Sequence, residues 1–202
     1  MPNILEIVQP DDWHIHFREG DMLEMVTNYS SRINNRCVAM PNTKVPITDT
    51  NKAILYKNKI NKASKDKFEP LIPCYLTESL DINDFKAGIQ NNSFFGAKLY
   101  PSNATTNSKY GVRQISNIYN LFEILEEENS TLLIHGEKVS DKIDIFDREK
   151  YFIDDELQII RKKFPLLKIV LEHVSTAYGV KYIKQNKNIA GTITPHHMLL
   201  TK

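Results

Sequence analysis

The sequence is short of cysteine, of long apolar runs and of charge imbalance, and each shortage excludes a class of protein. Cys37 and Cys74 are the only cysteines in 202 residues, too few for the disulfide framework of a small secreted domain. Each lies in an apolar run, which marks both as buried free thiols. No stretch of about 18 apolar residues is present, the length needed to read a segment as a membrane-crossing helix. The start, MPNILEIVQPDD, lacks the basic segment and long apolar stretch of a secretory signal. With 26 basic and 25 acidic side chains the formal net charge is +1, which offers no field to attract nucleic acid or an acidic membrane. There is no repeat, low-complexity tract or linker. The expectation is a cytoplasmic protein of one domain, residues 1–202. Triplets such as Asn28-Tyr29-Ser30 carry no glycosylation signal in that compartment.

What is present is a regular alternation. Short apolar runs, ILEIV (4–8), WHIHF (13–17), RCVAM (36–40), PLIPCYL (70–76), FGAKLY (95–100), TLLIH (131–135), KIVLEH (168–173) and AGTIT (190–194), read as strands. Amphipathic stretches at 21–32, 49–64, 82–91, 113–128, 148–163 and 176–186 read as helices. Asp49 and Ser116 stand near helix starts, and Pro165 follows a helix end. Strands and helices in this order imply βα units around a parallel sheet, whose strands are covered on both faces and so are continuously apolar.

Polar residues gather where these strands end. His14 and His16 lie in WHIHF, Asn42 follows RCVAM, Lys98 lies in GAKLY, and His135 and His173 end their strands. In a (β/α)8 barrel the active site forms at the C-terminal strand ends. An open doubly wound sheet also binds ligands there. Candidates spread over so many strands meet at one point only in a closed ring, so the fold class predicted is α/β, a TIM-type (β/α)8 barrel.

A single histidine on an apolar strand is most often a satisfied core residue. Four at equivalent positions point to metal, for which neutral imidazole is the commonest ligand. Residues i and i+2 of a strand share a face, so His14 and His16 supply two ligands side by side. Lys98 on an apolar strand is a charge in need of a partner. It either pairs with a carboxylate or snorkels outward, or its amine has added carbon dioxide to form a carbamate able to bridge two cations. The Arg18 guanidinium suits two-point binding of a substrate carboxylate, and equally a structural ion pair. Asn42, in MPNT, is either a substrate contact or a turn residue.

Longer strings carry a family resemblance. DDWHIHFREGDML, AMPNT, CYLTESLD, GAKLYPSNATTNSKYGV, LIHGE, DIFDRE, LEHVST and TITPHH resemble, in this order, the class II dihydroorotases of the amidohydrolase superfamily. KLYPSNATTNS is the most specific string; His-x-His alone would suit many amidohydrolases. The resemblance implies a (β/α)8 barrel that interconverts (S)-dihydroorotate and N-carbamoyl-L-aspartate in pyrimidine biosynthesis. It implies two zinc ions, one held by His14 and His16, the other by His135 and His173, with carbamylated Lys98 bridging them. Arg18 and Asn42 would hold the substrate carboxylate, and Thr105 and Thr106 would belong to a loop closing over the substrate. It gives His196 and His197 no ligand role. Homodimers are common in the family.

The family pattern runs on past Lys202, through an eighth strand whose aspartate binds metal and serves as general acid and base within a GTDSAP-like motif. No such motif occurs here. About seven of eight strands are expected, in a chain truncated relative to the working enzyme. Two alternatives accompany this reading: another cyclic amidase, of the dihydropyrimidinase or allantoinase kind, and an inactive barrel fragment with a binding or assembly role.

Overall fold

The apolar runs become parallel strands, and the amphipathic stretches become the helices that cross between them, in a computed structural model that describes residues 4–200. The order is β1 (Asp12–Ile15), α1 (Asp21–Ser31), β2 (Arg36–Ala39), α2 (Thr50–Ala63), β3 (Glu69–Leu71), β4 (Cys74–Tyr75), α3 (Ile82–Gln90), β5 (Ala97–Leu99), α4 (Tyr119–Glu127), β6 (Thr131–Ile134), α5 (Arg148–Phe152), α6 (Gln158–Lys163), β7 (Lys168–Leu171), α7 (Ala177–Gln185), β8 (Ile189–Gly191) and α8 (Pro195–Leu199). Asp49 caps α2 by accepting from Lys52 N, as the sequence suggested. Ser116 lies inside a tight 3-10 turn, Ile115–Ile118, that leads into α4.

Every strand pair is parallel, and neighbours in space are neighbours in sequence. The one interruption falls at Ile72-Pro73. Pro73 has no backbone N–H to give to a ladder. The segment before it, β3, pairs with β2, and the segment after it, β4, pairs with β5. Phe95 N donates to Ile72 O across the break, so β3 and β4 are two halves of one barrel strand. The result is a barrel wall of seven strands, left open between β1 and β8 among the described residues.

ILEIV (4–8) is not a strand. Ile4, Leu5, Ile7 and Val8 are exposed, and no described strand lies beside them to take up their backbone groups. An apolar run without a neighbour gains nothing from being extended. Ladder contact begins only at Pro10, whose carbonyl accepts from Asn35 N at 2.8 Å.

Side-chain alternation divides the barrel into two cores. Cys37, Ala39, Leu99, Leu132, Ile134, Ile169 and Leu171 face outward into the main core under the helices. Val38, Met40 and Leu133 face the barrel interior, with Leu71, Phe95 and Val170 packed against them. Register sets Lys98 beside Leu133, and Leu133 beside Val170. Lys98 therefore projects inward, and residues two further along β6 and β7, His135 and Glu172, form the next inward layer.

Candidate metal centre

β1 supplies the first pair of histidines. Ile15 packs against the outer core, so His14 and His16 turn to the interior. Asp12 Oδ1 accepts from His14 N at 3.0 Å and fixes the start of the strand. The two rings meet with Nε2 atoms 3.3 Å apart. A tetrahedral zinc with Zn–N bonds of about 2.0–2.1 Å needs its nitrogens roughly 3.3 Å from each other, so this pair is spaced as two such ligands are.

The second pair comes from the ends of β6 and β7. His135 N donates to Leu99 O at 2.9 Å, and Glu172 N donates to Ile134 O at 3.0 Å. His135 Nδ1 lies 3.0 Å from His173 Nε2. The His14 ring meets the His173 ring edge-on at 5.4 Å between centroids, which brings the two pairs together. His14, His16, His135 and His173 line one cavity of about 500 Å³. Among the described residues, no three histidine, cysteine or carboxylate side chains converge to hold a metal ion by themselves. The histidines form two pairs, each needing further ligands to complete a metal site.

Lys98 lies beneath that cavity with no solvent exposure. Its Nζ donates to Glu172 Oε2 at 2.9 Å. A carboxylate partner, one of the readings the sequence left open, is thus present. Burial pulls the Lys98 ammonium below the usual lysine range, and Glu172 opposes that pull. Glu172 is held below the usual carboxylate range: burial works to raise it, and Lys98 and His14 overcome it. Its Oε2 also lies against His14 Nδ1. A carboxylate beside Nδ1 is the arrangement that orients a metal-binding imidazole with Nε2 toward the ion, and here Nε2 faces His16.

Burial and nearby cations keep His16 and His173 neutral. His16 is pushed down to about 3, by burial first and then by His14, Arg18 and Lys98 nearby. His173 is pushed down to about 2, again by burial first, then by Lys98, His135 and His14. Neutral imidazole is the form that binds metal. Several buried polar atoms around the histidines, Asn42 Oδ1, Tyr100 OH, His135 Nε2 and Glu172 Oε1, have no hydrogen-bond partner among the described residues. Unsatisfied buried groups are costly and rare; several in one place suit a site whose ligands complete them. The donor set, four imidazoles in two pairs with a buried lysine below, fits a pair of zinc-like ions.

The remaining sequence candidates are near but not uniform. Arg18 adopts a left-handed backbone, φ 63°, and makes no ion pair among the described residues. It is close enough to His16 to depress that ring's basicity. Asn42 is buried; its Nδ2 donates to Thr106 O at 2.9 Å, and its carbonyl accepts from Asn107 Nδ2 at 2.9 Å. Tyr75 OH also donates to Asn107 O. The NATTNS loop is therefore tied down over Asn42. Thr105 lines the cavity, whereas Thr106 contributes its backbone carbonyl and does not line it. His196 and His197 line the cavity but are exposed, with the His197 ring 6.5 Å from that of His173. Glu172 was not among the sequence candidates. Its signal was the same as that of Lys98, a charge in an apolar run, and it stands next to His173.

An open barrel of parallel strands with paired histidines at the strand ends defines the amidohydrolase class of metal-dependent barrels. Within that class, the chain is homologous to dihydroorotases along its length. It is 45% identical to the dihydroorotase of Buchnera aphidicola subsp. Schizaphis graminum over 202 residues, 98% of this chain. It superposes on the crystal structure of dihydroorotase from Campylobacter jejuni with a TM-score of 0.87 and 34% identity, covering 96% of this chain and 56% of that one. The structure of the Saccharomyces cerevisiae dihydroorotase in complex with 5-fluoroorotic acid matches with a TM-score of 0.86 and 35% identity, covering 95% and 57%. The chain spans about 58% of the length of the Buchnera relative. No protein-family profile matches it.

Proposed function

We propose that this chain carries the metal-binding and substrate-carboxylate part of a dihydroorotase, the zinc-dependent enzyme that interconverts (S)-dihydroorotate and N-carbamoyl-L-aspartate. The observation that carries the reading is the convergence of His14, His16, His135 and His173 in one cavity above buried Lys98. His14 and His16 would hold one zinc, and His135 and His173 the other. When bound, the zinc ions lower the pKa of a water to about 7 and polarise the ring amide.

The chain's own side chains supply the rest. Glu172 would orient the His14 ring, its carboxylate beside Nδ1 and Nε2 turned toward His16. Lys98, as a carbamate, would bridge the two ions. Its amine nitrogen adds to carbon dioxide and gives up a proton, which requires the neutral amine that burial favours. A carbamate would replace the ammonium facing Glu172 with a second anion. That change is tolerable only with cations present, so carbamylation and metal loading should rise together. Arg18, unpaired among the described residues, would take the substrate carboxylate in two-point contact, with Asn42 beside it. The NATTNS loop, with Thr105 at the cavity, would exclude water. The yeast relative's 5-fluoroorotic acid complex is in keeping with a site for a pyrimidine acid. The relatives' names weigh against another cyclic amidase and against a purely structural role.

Ligand binding to the zinc-loaded chain tests this without depending on turnover. Dihydroorotate should bind in preference to dihydrouracil, which lacks the carboxylate, and Arg18→Ala should abolish the preference. Equal binding of both compounds, unchanged by Arg18→Ala, would overturn the reading.

A further inference from the structure

Three of the sequence strings, DIFDRE, LEHVST and TITPHH, have parts that the proposed chemistry does not use. The structure brings them together behind one ligand. Glu172 and His173 are consecutive, yet both face the barrel interior: Glu172 reaches Lys98, and His173 reaches His135. A regular strand cannot do this, because successive side chains alternate. The chain achieves it by turning His173 into the left-handed region, φ 44°, a conformation that side-chain-bearing residues rarely adopt. Such a residue persists only where its surroundings over-determine it.

Glu149 supplies that determination. It is 6% exposed. Its Oε2 accepts from Ser175 N at 2.9 Å and Ser175 Oγ at 3.3 Å. Its Oε1 accepts from Thr176 N at 3.1 Å and also from Thr176 Oγ1. Thr176 Oγ1 in turn accepts from Gly179 N at 3.0 Å and caps α7. No cation pairs with Glu149 among the described residues; four donors at the positive end of a helix hold its charge. On the other side of the turn, His173 N donates to Thr192 Oγ1 at 2.8 Å, and Val174 N donates to Thr192 O at 2.9 Å. The turn is thus held from both flanks, by Glu149 of DIFDRE and Thr192 of TITPHH. Gly179 leaves room for the carboxylate: a Cβ there would lie 2.4 Å from Glu149 Oε1.

We propose that Glu149 is a positioning residue for His173, clamping Ser175 and Thr176 so that the left-handed turn aims the imidazole at His135. The link to metal rests on the reading that His135 and His173 hold one of two ions.

The test is cobalt(II) titration of the 202-residue chain, followed by visible absorption, together with amide hydrogen exchange at His173 in the metal-free protein. Glu149→Gln puts an amide NH2 where one carboxylate oxygen accepted. It should weaken one of two cobalt sites by about 10–100-fold, the usual effect of losing a group that orients a ligand, and leave the other unchanged. Gly179→Ala, which presses on the same oxygen while leaving Glu149 chemically intact, should have the same one-site effect. In both variants the His173 amide should exchange faster while that of His135 does not. Unchanged His173 exchange in both variants would overturn the proposal, as would a lower melting temperature with both cobalt affinities intact. If the wild-type chain binds no cobalt, the metal reading fails by itself, and the exchange measurement still decides the positioning role.

Discussion

Lys98 Nζ donates to Glu172 Oε2 across 2.9 Å, and neither side chain has any contact with solvent. This buried pair sits under the four histidines and joins β5 to the end of β7. Removing one member of a buried ion pair strands the other, at a cost of about 3–5 kcal/mol. Glu172→Gln should therefore destabilise the metal-free chain by roughly that amount in urea unfolding. The double variant Lys98→Met, Glu172→Gln should recover most of the loss, because the stranded charge is gone. Additive losses in the double variant would show that the pair is not coupled.

The neutral histidines make acid stability predictable. In the unfolded chain His16 and His173 take up protons near pH 6.5; in the folded, metal-free chain they do so only near 3 and 2. Between those limits the unfolded state binds more protons, so stability falls as pH falls below about 6.5, by roughly 1.4 kcal/mol per pH unit for each histidine. Above pH 6.5 neither group contributes a slope. Denaturant midpoints of the chelated protein from pH 8 to pH 4 would check this; a flat profile would contradict it.

Cys37 and Cys74 are buried free thiols. Burial pushes both thiols well above their ordinary range, and the thiolate is the reactive form. Neither should react with a thiol reagent in the folded chain, and both should react promptly in denaturant. Rapid labelling under native conditions would mean that the strands carrying them open locally.

Much of this was legible because periodicity and register are local. All six helical stretches read from the sequence are helical, and the alternation of WHIHF by itself placed His14 and His16 on one face. The failures came from context. ILEIV reads as a strand, but a strand also needs a neighbour, and that is not written in its own residues. PLIPCYL reads as one strand, and Pro73 splits its pairing in two. Glu172 is masked in KIVLEH by the histidine beside it, whose side chain is the more usual metal ligand. The left-handed turn at His173 could not be inferred from LEHVST, since histidine, though enriched at positive φ, adopts it in only a small minority of cases. Its support lies 24 residues away at Glu149.

Zinc stoichiometry tests the central claim most directly. The chelated chain, reloaded with zinc in the presence of bicarbonate, should bind two ions, and fewer when bicarbonate is withheld, because Lys98 then keeps its ammonium and its bond to Glu172. His14→Ala should lose one ion and His135→Ala the other. A wild-type chain that binds no zinc, or a His14→Ala variant with full zinc content, would contradict the account.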